Sequence, residues 1–183
     1  MTDATTERAM QIIWEDVDAL LEVWRSSAAT TAECFLDACE SPIEKLMLAS
    51  LAFVFHQDWG PALNPHPAFV CADPNDRLLI EPQKQIGAYR ADFAITHRHA
   101  VATGMVCEVR AVVECDGHAF HEKTPEQAIR DKTRDREMTS EGWMVLRFSG
   151  REIVHNPRQC AETVREAVRK EHMRQVHRFV ESL

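Results

Sequence analysis

VCEVRAVVECDGHAFHEKTPEQAIRDKTRDREMTSEGWMVLRF, residues 106–148, decides the fold. It opens in a β-branched and apolar run, 105–116, that reads as a strand. Thr124-Pro125-Glu126-Gln127 then forms a capping box with proline at the first helical position, opening a helix to about Glu141. Gly142 stops that helix, and 143–148 reads as a strand again. Strand, helix and strand over 105–148 make a crossover between parallel strands.

Working outward, two more strands precede this unit, over 79–87 and 89–96, punctuated by Gly87 and Gly104. Three consecutive strands followed by a crossover give a mixed sheet, and the flanking helices have to cover both its faces. Ser41-Pro42-Ile43-Glu44 is a second capping box. It opens a helix through LMLASLAFVF in which Leu48, Leu51 and Phe55 share a side, widened by Leu46, Met47, Ser50 and Val54. Residues 59–78, with Pro61, Pro65, Pro67 and Pro74, read as a long irregular loop of the kind that serves as a flap. Ile13, Val17, Leu20 and Trp24 recur at helical spacing within 5–39, and Asn156-Pro157 starts a last helix. The expected fold is α/β: a mixed central sheet with helices on both faces. A helical N-terminal extension (1–40) precedes the main domain (41–183), which ends in a C-terminal helix.

The 183 residues are enough for one domain with a proper core. No stretch reaches the roughly 18 apolar residues a bilayer span requires, and MTDATTERAM lacks the pattern of a secretory signal. Six cysteines form no CxxC pair, which fits free thiols in a reducing cytosol. A cytoplasmic protein without membrane contact is expected. The net charge of −8 excludes a generally basic coat for nucleic acid. Any nucleic-acid chemistry must rest on a local basic surface.

Alternation along the strands decides which side chains meet. In VVECDG, Glu114 and Asp116 share one face and Val113 and Cys115 the other. In YRADFAI, Asp92 is opposite in parity to Ala91 and Phe93. A carboxylate between apolar neighbours on a core strand is costly unless it is paired, hydrogen-bonded or bound to a cation. If the two strands are neighbours, Asp92 and Glu114 face each other at a sheet end. Two hard oxygen ligands with room for water and phosphate oxygens suit Mg²⁺. Gly117 allows close backbone approach, and His118 and His121 follow, either able to take a proton from an attacking water.

YRADF, VVECDGHAFHEKT and IRDKTRDREMTSEGWMVLRFSG resemble nucleases of the PD-(D/E)xK, or restriction-endonuclease-like, superfamily. The nearest likeness is to very-short-patch-repair mismatch endonucleases and a broad group of bacterial relatives. It covers about residues 41–165. The resemblance implies a Mg²⁺-dependent endonuclease, with Mn²⁺ as an alternative ion, hydrolysing DNA phosphodiesters in repair, restriction or mobile-element biology. It makes Asp92 and Glu114 metal ligands, with the Cys115 backbone carbonyl as a third. Glu44 becomes an outer-sphere helper and His121 the group that assists the attacking water. Where the pattern has lysine, two residues past Glu114, this chain has Asp116. The base is then His121, His118 or a displaced Lys132.

Plainer readings stand beside these. Capping alone explains Glu44 and Gln127. Arg130, Lys132, Arg134 and Arg136 alternate with acids, as solvated helix faces do, with one or two turned toward the site. Lys84 and Arg90 are further phosphate candidates, and Trp143 reads as core. The rival functions are a catalytically inactive nuclease-fold module that binds nucleic acid or a protein partner, and a subunit that docks or dimerises through its terminal helices. RNA is not excluded as the nucleic acid.

Overall fold

The computed structural model describes residues 36–59, 69–70, 76–100, 104–116 and 125–182. Helix α1 (Pro42–Trp59) leads to β1 (Phe69–Val70), β2 (Asp76–Ile86), β3 (Tyr89–Ala100) and β4 (Val106–Asp116). The crossover helix α2 (Pro125–Ser140) returns the chain to β5 (Met144–Ser149), followed by α3 (Gly150–His155) and α4 (Pro157–Glu181). The sheet has five strands in sequential order. β1 to β4 are antiparallel, and β5 lies parallel to β4. This is the mixed α/β sheet with a crossover that the sequence implies.

Alternation sorts the strand residues onto two cores. Phe93, Ile95, Val109, Ala111 and Val113 pack with Met47, Leu48, Leu51, Val54 and Phe55 of α1, Ile153 of α3, and Cys160, Ala161, Val164 and Val168 of α4. On the other face Ala94 and Val112 pack with Ile86, Ala91 and Met138 of α2, flanked by Tyr89, Trp143 and Val145. Helices thus cover both faces, and Trp143 belongs to the core.

Local chemistry sets the boundaries. Gly142, at φ 84, ends α2 in a left-handed residue. Gly142 N–H donates to Thr139 O and Trp143 N–H to Met138 O, both at 3.0 Å, which is a Schellman cap. Pro157 opens α4 behind Asn156, whose side chain accepts from Gln159 N–H at 3.1 Å. A capping box of Ser149 and Glu152 starts α3, a helix the sequence analysis did not anticipate.

Three expectations need adjustment. The loop over 59–78 contains the edge strand Phe69–Val70, too short to show alternation, and β2 begins at Asp76. β3 runs on to Ala100, because His97 and His99 continue the ladder opposite Leu78 and Asp76. His97 is buried with Nε2 2.6 Å from Asp76, and His99 Nδ1 lies 3.1 Å from His172 Nε2 on α4. The N-terminal stripe of Ile13, Val17, Leu20 and Trp24 lies outside the described residues, as does the Thr124–Gln127 capping box.

Among the described residues no helix is long and apolar enough to cross a membrane, and Cys107, Cys115 and Cys160 are free thiols. Leu51 is fully buried between α1 and the sheet. Leu51→Ala is expected to remove ~2–5 kcal/mol of stability, read as a lowered urea midpoint. An unchanged midpoint would contradict this packing.

Candidate active site

Phe93 pairs with Val113 across β3 and β4, so the next step along both strands sets Asp92 against Glu114. Cys115 N–H donates to Asp92 Oδ2 at 2.7 Å, tying the end of β4 to the Asp92 side chain. Glu114 is only 5% exposed. It shares parity with Val112, so it lies on the face that α2 covers. Arg134 of α2 donates there, through one Nη2, to Glu114 Oε1 and to the carbonyl of Arg90, the latter at 2.7 Å. The Arg134 guanidinium also stands over the Tyr89 ring.

Glu44 enters from the start of α1 and is buried. Its Oε1 accepts from the Ser41 hydroxyl at 2.6 Å, and its Oε2 from Glu40 N–H at 2.9 Å. The capping arrangement is therefore real, with the backbone bond reaching Glu40 rather than Ser41. A third bond was not foreseen: Gln83 Nε2 donates to Glu44 Oε2 at 2.8 Å. Gln83 holds a left-handed backbone, φ 52, which costs a non-glycine residue about 1–2 kcal/mol. The strained residue lies in β2 between the ladder pairs Pro82↔Phe93 and Lys84↔Ala91, beside Asp92.

The electrostatics follow from this crowding. Burial pushes the Glu114 carboxyl up to about 7; Arg134 opposes the rise and the Asp92 charge adds to it. Burial also raises Asp92, against the Cys115 N–H bond, and the Glu44 charge adds to the rise. Burial and the surrounding carboxylates push the Cys115 thiol far above its ordinary value, so the site meets this residue through its backbone. A buried and a half-buried carboxylate that repel one another fit a divalent cation, whose charge relieves both. The donors, two carboxylates and a backbone carbonyl, are all hard oxygens. Among the described residues no three His, Cys, Asp or Glu side chains form a metal-ligand cluster. Further donors would then have to be backbone, water or substrate oxygens.

Asp116, at the position of the missing lysine, lies 3.7 Å from Arg147, whose Nη2 is bonded to Asp135 at 2.7 Å. Lys132 is exposed on α2. Lys84 is paired with Glu81, and Arg90 with Glu40. His118, His121 and the Gln127 side chain lie outside the described residues. Arg134 and Gln83 were not singled out in advance. Met138 carried the signal for Arg134: it is fully buried, and Arg134 sits one helical turn before it on the same face.

The profile of the restriction-endonuclease-like family REase_MTES_1575 matches residues 75–168, more than half of the chain. The chain belongs to this restriction-endonuclease-like family. The matched span runs from β2 into α4 and includes Asp92, Glu114 and Arg134. A nuclease-type function is thereby supported in general terms. No curated protein and no solved structure matches the chain.

Glu114 also gives a pH test. Its folded carboxyl holds a proton up to about pH 7, whereas an unperturbed glutamate releases it near 4.5. The stability due to the neutral form is complete below the lower value and is lost as pH rises through the upper one. With chelator present, wild type is expected to lose stability relative to Glu114→Gln between about pH 5 and about pH 8. Denaturant melts of both proteins across this range measure it; a constant difference would contradict the assignment.

Proposed function

We propose that this chain is a Mg²⁺-dependent endonuclease that hydrolyses DNA phosphodiesters at the Asp92–Glu114 pair. The observation that carries the reading is the meeting of a buried carboxylate, Glu114, and a half-buried one, Asp92, where the start of β3 lies against the end of β4, with Cys115 N–H bonded to Asp92. Family membership supports the reaction class.

Asp92, Glu114 and the Cys115 carbonyl would hold the ion, with Mn²⁺ as a substitute. Bound there, a divalent cation supplies Lewis acidity toward a phosphate oxygen and lowers the pKa of a water. The chain's own contribution is positional. The Cys115 N–H fixes one Asp92 oxygen, leaving Oδ1 for other partners. Arg134 fixes Glu114 Oε1, leaving Oε2. Glu44, with both oxygens bonded within the protein, acts on the site through its charge and through Gln83 rather than as a direct ligand. His121 takes a proton from the attacking water, the role implied by the likeness to mismatch endonucleases. Neutral imidazole is suited to it near pH 7. We place the activity in the cytoplasm, on DNA.

A second reading, a catalytically inactive module that binds nucleic acid or a protein, is favoured by one feature. The position two residues past Glu114 holds an acid, Asp116, engaged with Arg147.

Asp92→Ala and Glu114→Ala are each expected to abolish Mg²⁺-dependent cutting of DNA, with the circular dichroism spectrum retained. His121→Ala is expected to slow it by about 10²–10⁴-fold. The assay compares DNA and RNA, single-stranded and duplex, with Mg²⁺, Mn²⁺ or chelator. Metal-dependent cutting that survives both alanine changes rejects the site. A folded wild type that binds DNA without cutting any substrate selects the second reading.

A further inference from the structure

Four carboxylates crowd this site. Glu44 and Asp116 act on Asp92, and Asp92 and Asp116 act on Glu114, each disfavouring the charged form of its neighbour. A phosphodiester is itself an anion. At ~4 Å a like charge is repelled by several kcal/mol where water is partly excluded. One divalent ion offsets two of the four negative charges. A phosphate entering the site still needs a cation from the protein.

The cations nearby are mostly committed elsewhere. Arg147 is held by Asp135 through Nε and Nη2, Lys84 by Glu81 and Arg90 by Glu40. Lys132 is exposed. Arg134 alone among these bonds directly to a proposed metal ligand, Glu114. It is anchored behind by Met138 in the core, and its Nη2 also binds the Arg90 carbonyl. Its Nε–H is buried and has no hydrogen-bond partner among the described residues. Nη2 has two hydrogens and spends them on Glu114 and the Arg90 carbonyl, so the unspent donor on that edge is Nε–H, a charge-assisted donor suited to a phosphate oxygen. An unspent Nε–H beside the two carboxylates is a donor waiting for an acceptor from outside.

We propose that Arg134 is a catalytic residue whose guanidinium binds the scissile phosphate through Nε–H, supplying from the crossover helix the cation that the strand lacks at Asp116. The assignment rests on the metal-site reading above, and its test keeps the two apart.

Wild type, Asp92→Asn, Arg134→Gln and Arg134→Lys are compared under single-turnover conditions at saturating enzyme, on a labelled DNA duplex with Mg²⁺. DNA affinity is measured in Ca²⁺ and stability by thermal melting. Arg134→Gln is expected to lower the cutting rate by about 10²–10³-fold while still binding DNA. Arg134→Lys, which keeps the charge and loses the Nε–H donor, is expected between Gln and wild type. Wild-type rates in both Arg134 variants, with Asp92→Asn inactive, overturn the role of Arg134 and leave the metal site standing. Cutting that persists in Asp92→Asn overturns the metal site and this proposal with it. Should Arg134→Gln fail to fold, Arg134→Lys decides, because a lysine variant cutting at the wild-type rate excludes a need for the guanidinium.

Discussion

Asp92 and Glu114 are like charges pressed together by the antiparallel register of β3 and β4, and their surroundings are arranged to make that tolerable. The register is set by apolar alternation: Phe93, Ile95, Ala111 and Val113 have to face α1 and α4. A slip by one residue would turn those side chains toward the wrong core. The sheet therefore holds the carboxylates where their mutual repulsion is greatest. The protein answers with the Cys115 N–H on Asp92 and the Arg134 guanidinium on Glu114. Glu44 has its own satisfied set of donors at the mouth of α1. Repulsion kept in this way is ordinarily a mark of a functional site.

Much of this was legible in the chain. The crossover followed from a β-branched run, a capping box, a glycine stop and a second apolar run. The Schellman cap at Gly142 bears out the stop. The facing of Asp92 and Glu114 followed from parity once β3 and β4 were neighbours. Glu44 was recognisable as a capping residue, although its bond to Gln83 was not, since that link spans 39 residues and depends on a left-handed backbone in β2. A glutamine in that conformation leaves no trace in alternation.

Arg134 shows why the remainder stayed hidden. Seven charges within the eight residues 130–137 of α2 read as a solvated face, and Lys132 was the residue carried toward the site. Among the described residues the buried face is instead dictated by one methionine, Met138. The other conspicuous apolar residue, Ile129, is 62% exposed. A helix that meets its sheet through a single large side chain has almost no periodic signal, so its inward turn emerges only from packing. The short strand at Phe69–Val70 and the small helix α3 escaped notice for the related reason that neither is long enough to establish a period.

The order in which the elements lie along the chain carries a further implication for how the molecule assembles. β2, β3 and β4 form a meander closed by short connections, so their pairing costs little loop entropy. Arg134 joins only when α2 has swung across to seat β5 against β4. The acidic pair is thus assembled by local contacts and neutralised by a distant one. Docking of that helix brings the Arg134 charge to Glu114 together with the burial of Met138, so one packing event joins the α2–β5 unit to the acidic pocket.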